Sequence, residues 1–310
     1  MKKWLTLITV FIVACLITLY FLIPATKTET YEITVDCSPG AVARHIINKD
    51  KWQQWWPGKK IGENNYSFQN CNYKIGEILL NGFKTIVYND KDSLSGLLQF
   101  IYFGTDSTQL KWTSVYTFSK NPLKRLGQYK EVKTINNNVI SLVNDMQKYF
   151  SIPTNVYGMK ITEEKVKDST MIATKQTFDH YPSINEIYSM IRSVQNYIKD
   201  KNGTQSDYPM LNVHKEGAAR YETMVAVPTT KDLSPEGKFE IKKMVLGNIL
   251  EAEVKGGVQR VKQGEQELAN YVDDYHKISP AIPFQSLVTD RISETDSSKW
   301  VTRLYYPIFY

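Results

Sequence analysis

The C-terminal half of this chain is written twice. Displacing the sequence by 74 positions lays QNYIKDK (195–201) on ANYVDDY (269–275) and YPML (208–211) on IPFQ (282–285). Asn196, Tyr197, Asp200 and Pro209 then meet Asn270, Tyr271, Asp274 and Pro283. A displacement of 79 lays YETMVAVP (221–228) over WVTRLYYP (300–307), the extra five residues fitting a longer hairpin loop in the second copy. A repeat this long is one supersecondary unit used twice. Two such units usually pair about a pseudo-twofold axis, and their seam is a natural place for a ligand pocket.

Each copy reads strand, helix, strand, strand. In the first copy these fall at about 170–178, 184–199, 210–214 and 221–227; in the second at about 243–253, 258–275, 284–290 and 301–308. Ile184, Ile187, Tyr188, Ile191, Val194 and Ile198 form one stripe of the first helix; Val258, Val261, Gly264, Leu268 and Tyr271/Val272 form that of the second. A further strand over 156–163 is expected at an edge of the same sheet.

Ahead of the repeat, YEITVDC (31–37) alternates as a strand. Ser38-Pro39 then starts a short helix, Ser as N-cap and Pro at the first position. KWQQWWPG follows, with Trp52, Trp55 and Trp56, then strands over 73–80, 83–88, 97–103 and 109–118. Val132, Ile135, Val139, Leu142, Val143, Met146 and Phe150 mark one face of a long helix over 127–150. That helix can cover one face of an antiparallel sheet.

Residues 4–23 carry no charge, follow Lys2 and Lys3, and end at Pro24. Twenty apolar residues at ~1.5 Å rise match a hydrocarbon core of about 30 Å. This predicts a single-pass anchor, N-terminus cytoplasmic and the remainder extracytoplasmic (periplasmic). A lipoprotein start at Cys15 and a cleaved signal peptide are the alternatives.

Composition is that of folded protein, 42% hydrophobic and 23% charged. The net charge of +6 is spread along the chain, KNPLKR (120–125) being its densest basic stretch, so no nucleic-acid partner is expected. Cys37 and Cys71 read as buried small hydrophobes, or as a disulfide in an exported protein. No CxxC or Cys/His cluster, HExxH, GxSxG, Walker-type or GxGxxG motif is present, so no metal, cofactor or catalytic residue is assigned.

The opening ITVDCSPGAVARHIINKDKWQQWWP resembles the first strand, helix and following Trp of the START-like and polyketide-cyclase-like (SRPBCC) helix-grip superfamily. That resemblance implies an apolar cavity between long helix and curved sheet. Trp52, Trp55 and Trp56 could line its mouth, or simply pack the first helix onto the sheet. The repeat resembles the gyrase-inhibitor-like (GyrI-like) effector-binding domain, through RYETMVAVP, GGVQRV, ELANYVDDY, IPFQSLVTD and WVTRLYYPI. It implies a small-molecule cavity at the seam. Where many such domains carry a buried Glu after a Pro-aromatic pair, this chain has Pro283-Phe284-Gln285. An amide can donate and accept hydrogen bonds but supplies no buried negative charge. Cation binding and ring hydrolysis, both implied by the resemblance, are therefore weakened.

The expected fold class is α+β. The N-terminal transmembrane helix or signal (1–24) and a linker (25–30) precede a helix-grip domain (31–152) and a GyrI-like domain (153–310), with copies at about 169–228 and 243–307. The candidate ligand contacts are Gln285, Glu222, Tyr188, Tyr271, Trp300 and Tyr305, with Glu265 at the margin of the second helix stripe. The function expected is an outward-facing, membrane-anchored binding protein for a neutral or amphipathic small molecule. A hydrolase or cyclase-like enzyme using one of the cavities is the alternative. The first needs only apolar and amide groups at the seam, whereas the second needs a carboxylate near Gln285.

Overall fold

The computed structural model describes residues 2–22, 24–167, 169–217 and 219–309. The chain is α+β with two antiparallel sheets, in two compact units, Met1–Ile152 and Pro153–Tyr310.

The first unit runs α1 (Lys2–Leu22), β1 (Thr26–Val35), α2 (Pro39–Ile46), α3 (Trp52–Trp55), β2 (Lys59–Lys60), β3 (Asn65–Phe68), β4 (Cys71–Leu79), β5 (Gly82–Tyr88), β6 (Ser93–Tyr102), β7 (Thr108–Thr117) and α4 (Pro122–Phe150). Its strands lie in the order β1-β7-β6-β5-β4-β3-β2. Ser38 caps α2 by accepting from the Gly40 amide, with Pro39 in the first turn. The long helix starts earlier than its apolar stripe, because Asn121 accepts from the Leu123 and Lys124 amides and Pro122 opens the first turn. Its stripe packs on β1, β7 and β6. The three tryptophans of KWQQWWPG are core. All are buried, and their indole N–H groups donate to the carbonyls of Ile46, His45 and Ser67 at 2.8, 3.0 and 3.1 Å. Trp52 lies 4.7 Å from Phe83 between ring centroids, and Trp56 lies 5.0 Å from Tyr66. Such aromatic contacts fill space rather than leave it. Cys37 and Cys71 are buried and not disulfide-bonded, and burial pushes the Cys71 thiol up to about 11.

The N-terminal segment is helical, but among the described residues no helix is long and apolar enough to cross a membrane. This overturns the expected transmembrane anchor. The membrane contact through residues 4–23 and the single-pass localisation fall with it. Threonines interrupt the apolar surface, and Thr18 turns its hydroxyl back to the Ala14 carbonyl at 2.8 Å. The last turn takes a charged partner: Arg125 of α4 donates to the Tyr20 carbonyl at 2.8 Å and lies 4.5 Å over the Tyr20 ring. Ile23, the end of the apolar run, lies outside the described residues.

The second unit runs α5 (Pro153–Tyr157), β8 (Ile161–Lys165), β9 (Thr170–Phe178), α6 (Ile184–Asp200), β10 (Met210–Glu216), β11 (Arg220–Thr229), β12 (Glu240–Lys243), β13 (Asn248–Lys255), α7 (Val258–Asp274), β14 (Phe284–Leu287) and β15 (Val301–Ile308). The sheet order is β12-β9-β11-β10-β14-β15-β13-β8. The copies therefore meet where β10 pairs with β14, and Leu211 stands opposite Gln285. These two residues are also mates in the 74-residue repeat, so the pseudo-twofold axis passes between them. Helix α6 packs on β9 and β11, and α7 on β13 and β15.

Several boundaries differ from the sequence reading. Val156 belongs to α5 rather than to the edge strand. The strand expected over 243–253 is divided: Lys243 closes β12, and β13 begins only at Asn248. β14 stops at Leu287 because Asp290 forms a side-chain turn, accepting from the Ile292 amide at 2.9 Å. Gly264 is a close-approach glycine: a Cβ there would lie 2.8 Å from both Leu304 Cδ1 and Val254 Cγ2.

Candidate functional site

Strand alternation divides the seam between two faces of the sheet. On the helix side lie Leu211, Thr223, Gln285 and Thr302; on the other side lie Met210, Glu222, Phe284 and Tyr305. Thr223 and Thr302 are repeat mates and both fully buried.

The helix side holds a polar cluster. Gln285 is 3% exposed, and its Nε2 donates to Glu265 Oε1 on α7 at 2.9 Å. Among the described residues its Oε1 is buried and meets no hydrogen-bond partner, and neither does the Thr223 hydroxyl. An unmade hydrogen bond on a buried polar atom costs about 1–3 kcal/mol, so such atoms need a reason to persist. The repeat supplies a comparison. The first-copy mates of Glu265 and Gln285 are Ile191 and Leu211, which pack in one apolar cluster. The second copy has exchanged that apolar contact for a carboxylate–amide pair.

Glu265 is accessible to solvent, yet protein crowds it enough for desolvation to raise its carboxyl pKa. The Gln285 hydrogen bond and the charges of Lys262 and Arg291 oppose that rise. Tyr181, in the turn before α6, is held up by burial and then by the Glu265 charge, against Arg291 and the Gln285 amide. The Lys262 ammonium sits 3.8 Å over the Tyr181 ring. Tyr181 also meets Tyr221 edge-on, 5.8 Å between centroids.

Arg291 closes the far side. It is 6% exposed, donates from Nη2 to the Thr302 hydroxyl at 2.8 Å, and lies 5.1 Å over the Trp300 ring. Its Nε meets no partner, and desolvation lowers its pKa. The Tyr188 hydroxyl accepts from the Arg291 amide at 2.8 Å and donates to the Thr289 carbonyl at 3.2 Å, fixing this loop against α6.

The six expected contacts are thus dispersed. Gln285, Tyr188 and Trp300 belong to the helix-side cluster. Glu222 points to the opposite face, where it pairs with Lys175 at 3.2 Å. Tyr305 is there too, stacked on Phe284 at 5.0 Å, its hydroxyl pushed up to about 12 by burial and the Glu251 charge. Tyr271 sits further along α7, 5.1 Å from Tyr157. Sequence reading missed Tyr181, Lys262 and Arg291. Two of them had a signal in the repeat: Arg291 and Tyr181 align with Gly217 and Lys255, so neither is shared between the copies. Among the described residues no group of three His, Cys, Asp or Glu could hold a metal.

No protein-family model matches the chain, and no curated protein matches it. Solved structures do. The EcmrR C-terminal domain is 12% identical, over 49% of this chain and 98% of that one, with a TM-score of 0.43. SAV2435 bound to tetraphenylphosphonium is 18% identical over 49% and 94%, with a TM-score of 0.33. A hydrolase from Listeria innocua is 10% identical over 48% and 92%, with a TM-score of 0.38.

Proposed function

We propose that the second unit binds a small, neutral or amphipathic molecule on the helix side of its sheet, at Gln285 and Glu265. The observation that carries this reading is Gln285. A buried amide oxygen stands without a hydrogen-bond partner among the described residues, on a side chain bonded to an accessible Glu265. A ligand hydroxyl or amide N–H would satisfy it, while Tyr181 supplies an apolar wall. The formal charges of Glu265, Lys262 and Arg291 sum to about one positive charge, which disfavours a lipophilic cation. Native mass spectrometry of the whole chain against neutral polar-aromatic metabolites is the test. Binding that disappears in Gln285→Leu, the first copy's residue at that place, supports the reading; binding that survives in it refutes the reading.

One observation favours a second reading, a hydrolase. The Glu265 carboxyl, with its raised pKa, is suited to general-base work on a water beside Gln285. Glu265→Gln separates the two readings: a binding protein keeps its ligand and has no turnover to lose, whereas a hydrolase keeps its ligand and loses turnover. For the first unit, the strand order, the long covering helix and the aromatic core are compatible with a helix-grip domain. Its filled tryptophan cluster supports a packing or partner-binding role over a cyclase-like one.

A further inference from the structure

The face of the second sheet away from α6 and α7 carries a second feature that the helix-side site does not use. A cavity of about 270 Å³ opens over β9, β10 and β11. Four of the chain's eight methionines line it: Met171, Met210, Met224 and Met244. Ala226 and Ala173 belong to the same cluster. Small alanines leave room on the sheet surface, and methionine side chains adapt their shape to varied apolar guests.

The charge at this cavity is one-sided. Among the described residues, Lys175, Lys242 and Lys243 line it and no carboxylate does. Lys175 and Lys242 lean outward to Glu222 and Glu240 at 3.2 and 2.8 Å, while Lys243 reaches only to Asp232 at 4.0 Å. The repeat makes the asymmetry sharp. The second-copy mates of Met210, Met224 and Ala226 are Phe284, Arg303 and Tyr305. These line an adjoining cavity of about 410 Å³, which shares Met210, Met244 and Phe284 with the first and whose wall includes Glu164, Asp207 and Glu251. The apolar, lysine-rimmed pocket lies where the copies meet: Met171, Met210 and Met224 come from the first copy, and Met244, Ile282, Phe284 and Pro307 from the second.

We propose that this pocket binds an amphipathic anion, an alkyl chain lying among the four methionines and a carboxylate or sulfate head meeting the lysines. A chain ending in a single anionic group matches both halves of the lining: apolar surface on the floor and lysine ammonium groups at the rim, held only by surface ion pairs that an anionic head can replace. This site lies across the sheet from Gln285, so it stands or falls independently of the site proposed above.

The test uses the full chain labelled with ¹³C at the methionine methyl groups, titrated with decanoate below its micelle concentration. The resonances of Met171, Met210, Met224 and Met244 should shift together, while Met190 on α6, the reporter of the helix side, stays in place. Lys242→Glu with Lys243→Glu, both on the surface, should weaken decanoate by about tenfold or more, and Glu265→Gln should leave it unchanged. Met224→Lys, which places a charge at a partly exposed position in the pocket, should abolish the shifts with the fold intact by circular dichroism. Absence of shifts overturns the proposal. So does equal affinity for decanol or decyltrimethylammonium, which removes the anion. A dimer in sedimentation that Met224→Lys dissociates would also overturn it, since a second copy would then cover this face.

Discussion

The two copies of the repeat share one backbone plan and differ in what they bury. In the first copy, Ile191 and Leu211 pack as core beneath α6, and the opposite face is a methionine-lined hollow. In the second, an accessible Glu265 and a buried Gln285 take the equivalent positions, and the cavity on the opposite face is walled by charged and aromatic groups. Symmetry explains the architecture; the places where symmetry fails are where chemistry is concentrated. A duplicated unit can keep one copy as a stable frame while the other accepts buried polar groups, because the frame's apolar contacts offset their cost.

Exchanging residues between the copies tests this division. The largest effect should come from Leu211→Gln, which puts a second amide on the axis without a Glu265 to receive it. A loss of about 3 kcal/mol in urea unfolding is expected, and a loss below about 1 kcal/mol would mean that the two sides of the axis are interchangeable. Gly264→Val drives a branched side chain into Leu304 and Val254 and should cost about 2 kcal/mol. The helix starts differ as well. Ser183 and Glu186 form a capping box on α6, while α7 begins at Gly257 with no side-chain cap. Ser183→Ala should therefore cost about 1 kcal/mol, and Gly257→Asp should change stability by only a few tenths of a kcal/mol.

The smallest effect is a pH slope. Glu265 has its pKa raised in the folded chain above the ordinary 4.5. The unfolded chain thus releases this proton first as pH rises, and stability falls between 4.5 and the raised value, then levels off. Glu265→Gln should flatten that segment of the stability profile. A mutant profile parallel to the wild type would show that the carboxyl is not desolvated.

Much of the architecture could be read along the chain. The stripes at spacings of three and four located α4, α6 and α7, because burial on one face imposes that period. The SPG stretch carried the cap of α2, whereas the Asn121-Pro122 start of α4 went unread, the helix being expected only from 127. Other parts had no local signal. β3 is four residues long and β12 equally short, too brief for alternation to stand out. The N-terminal run shows how length and apolarity mislead when read alone: Arg125, about a hundred residues downstream, engages its last turn. Among the six candidate contacts, Gln285 was singled out by the repeat and the resemblance together, and it is buried beside Glu265. Glu222 and Tyr305 lie on the other face of the sheet from Gln285, a division that residue type alone does not disclose.

By itself, then, the sequence determined that a strand-helix-strand-strand unit occurs twice and that position 285 holds an amide. Periodicity and self-similarity are local properties, written in the order of residues. Tertiary structure decided that Leu211 and Gln285 face each other across the axis, that Glu265 reaches the amide, and that four distant methionines share one hollow. Those juxtapositions come from strand register and helix docking. They depend on hydrogen bonds and packing between segments up to about a hundred residues apart, which no short window of sequence contains.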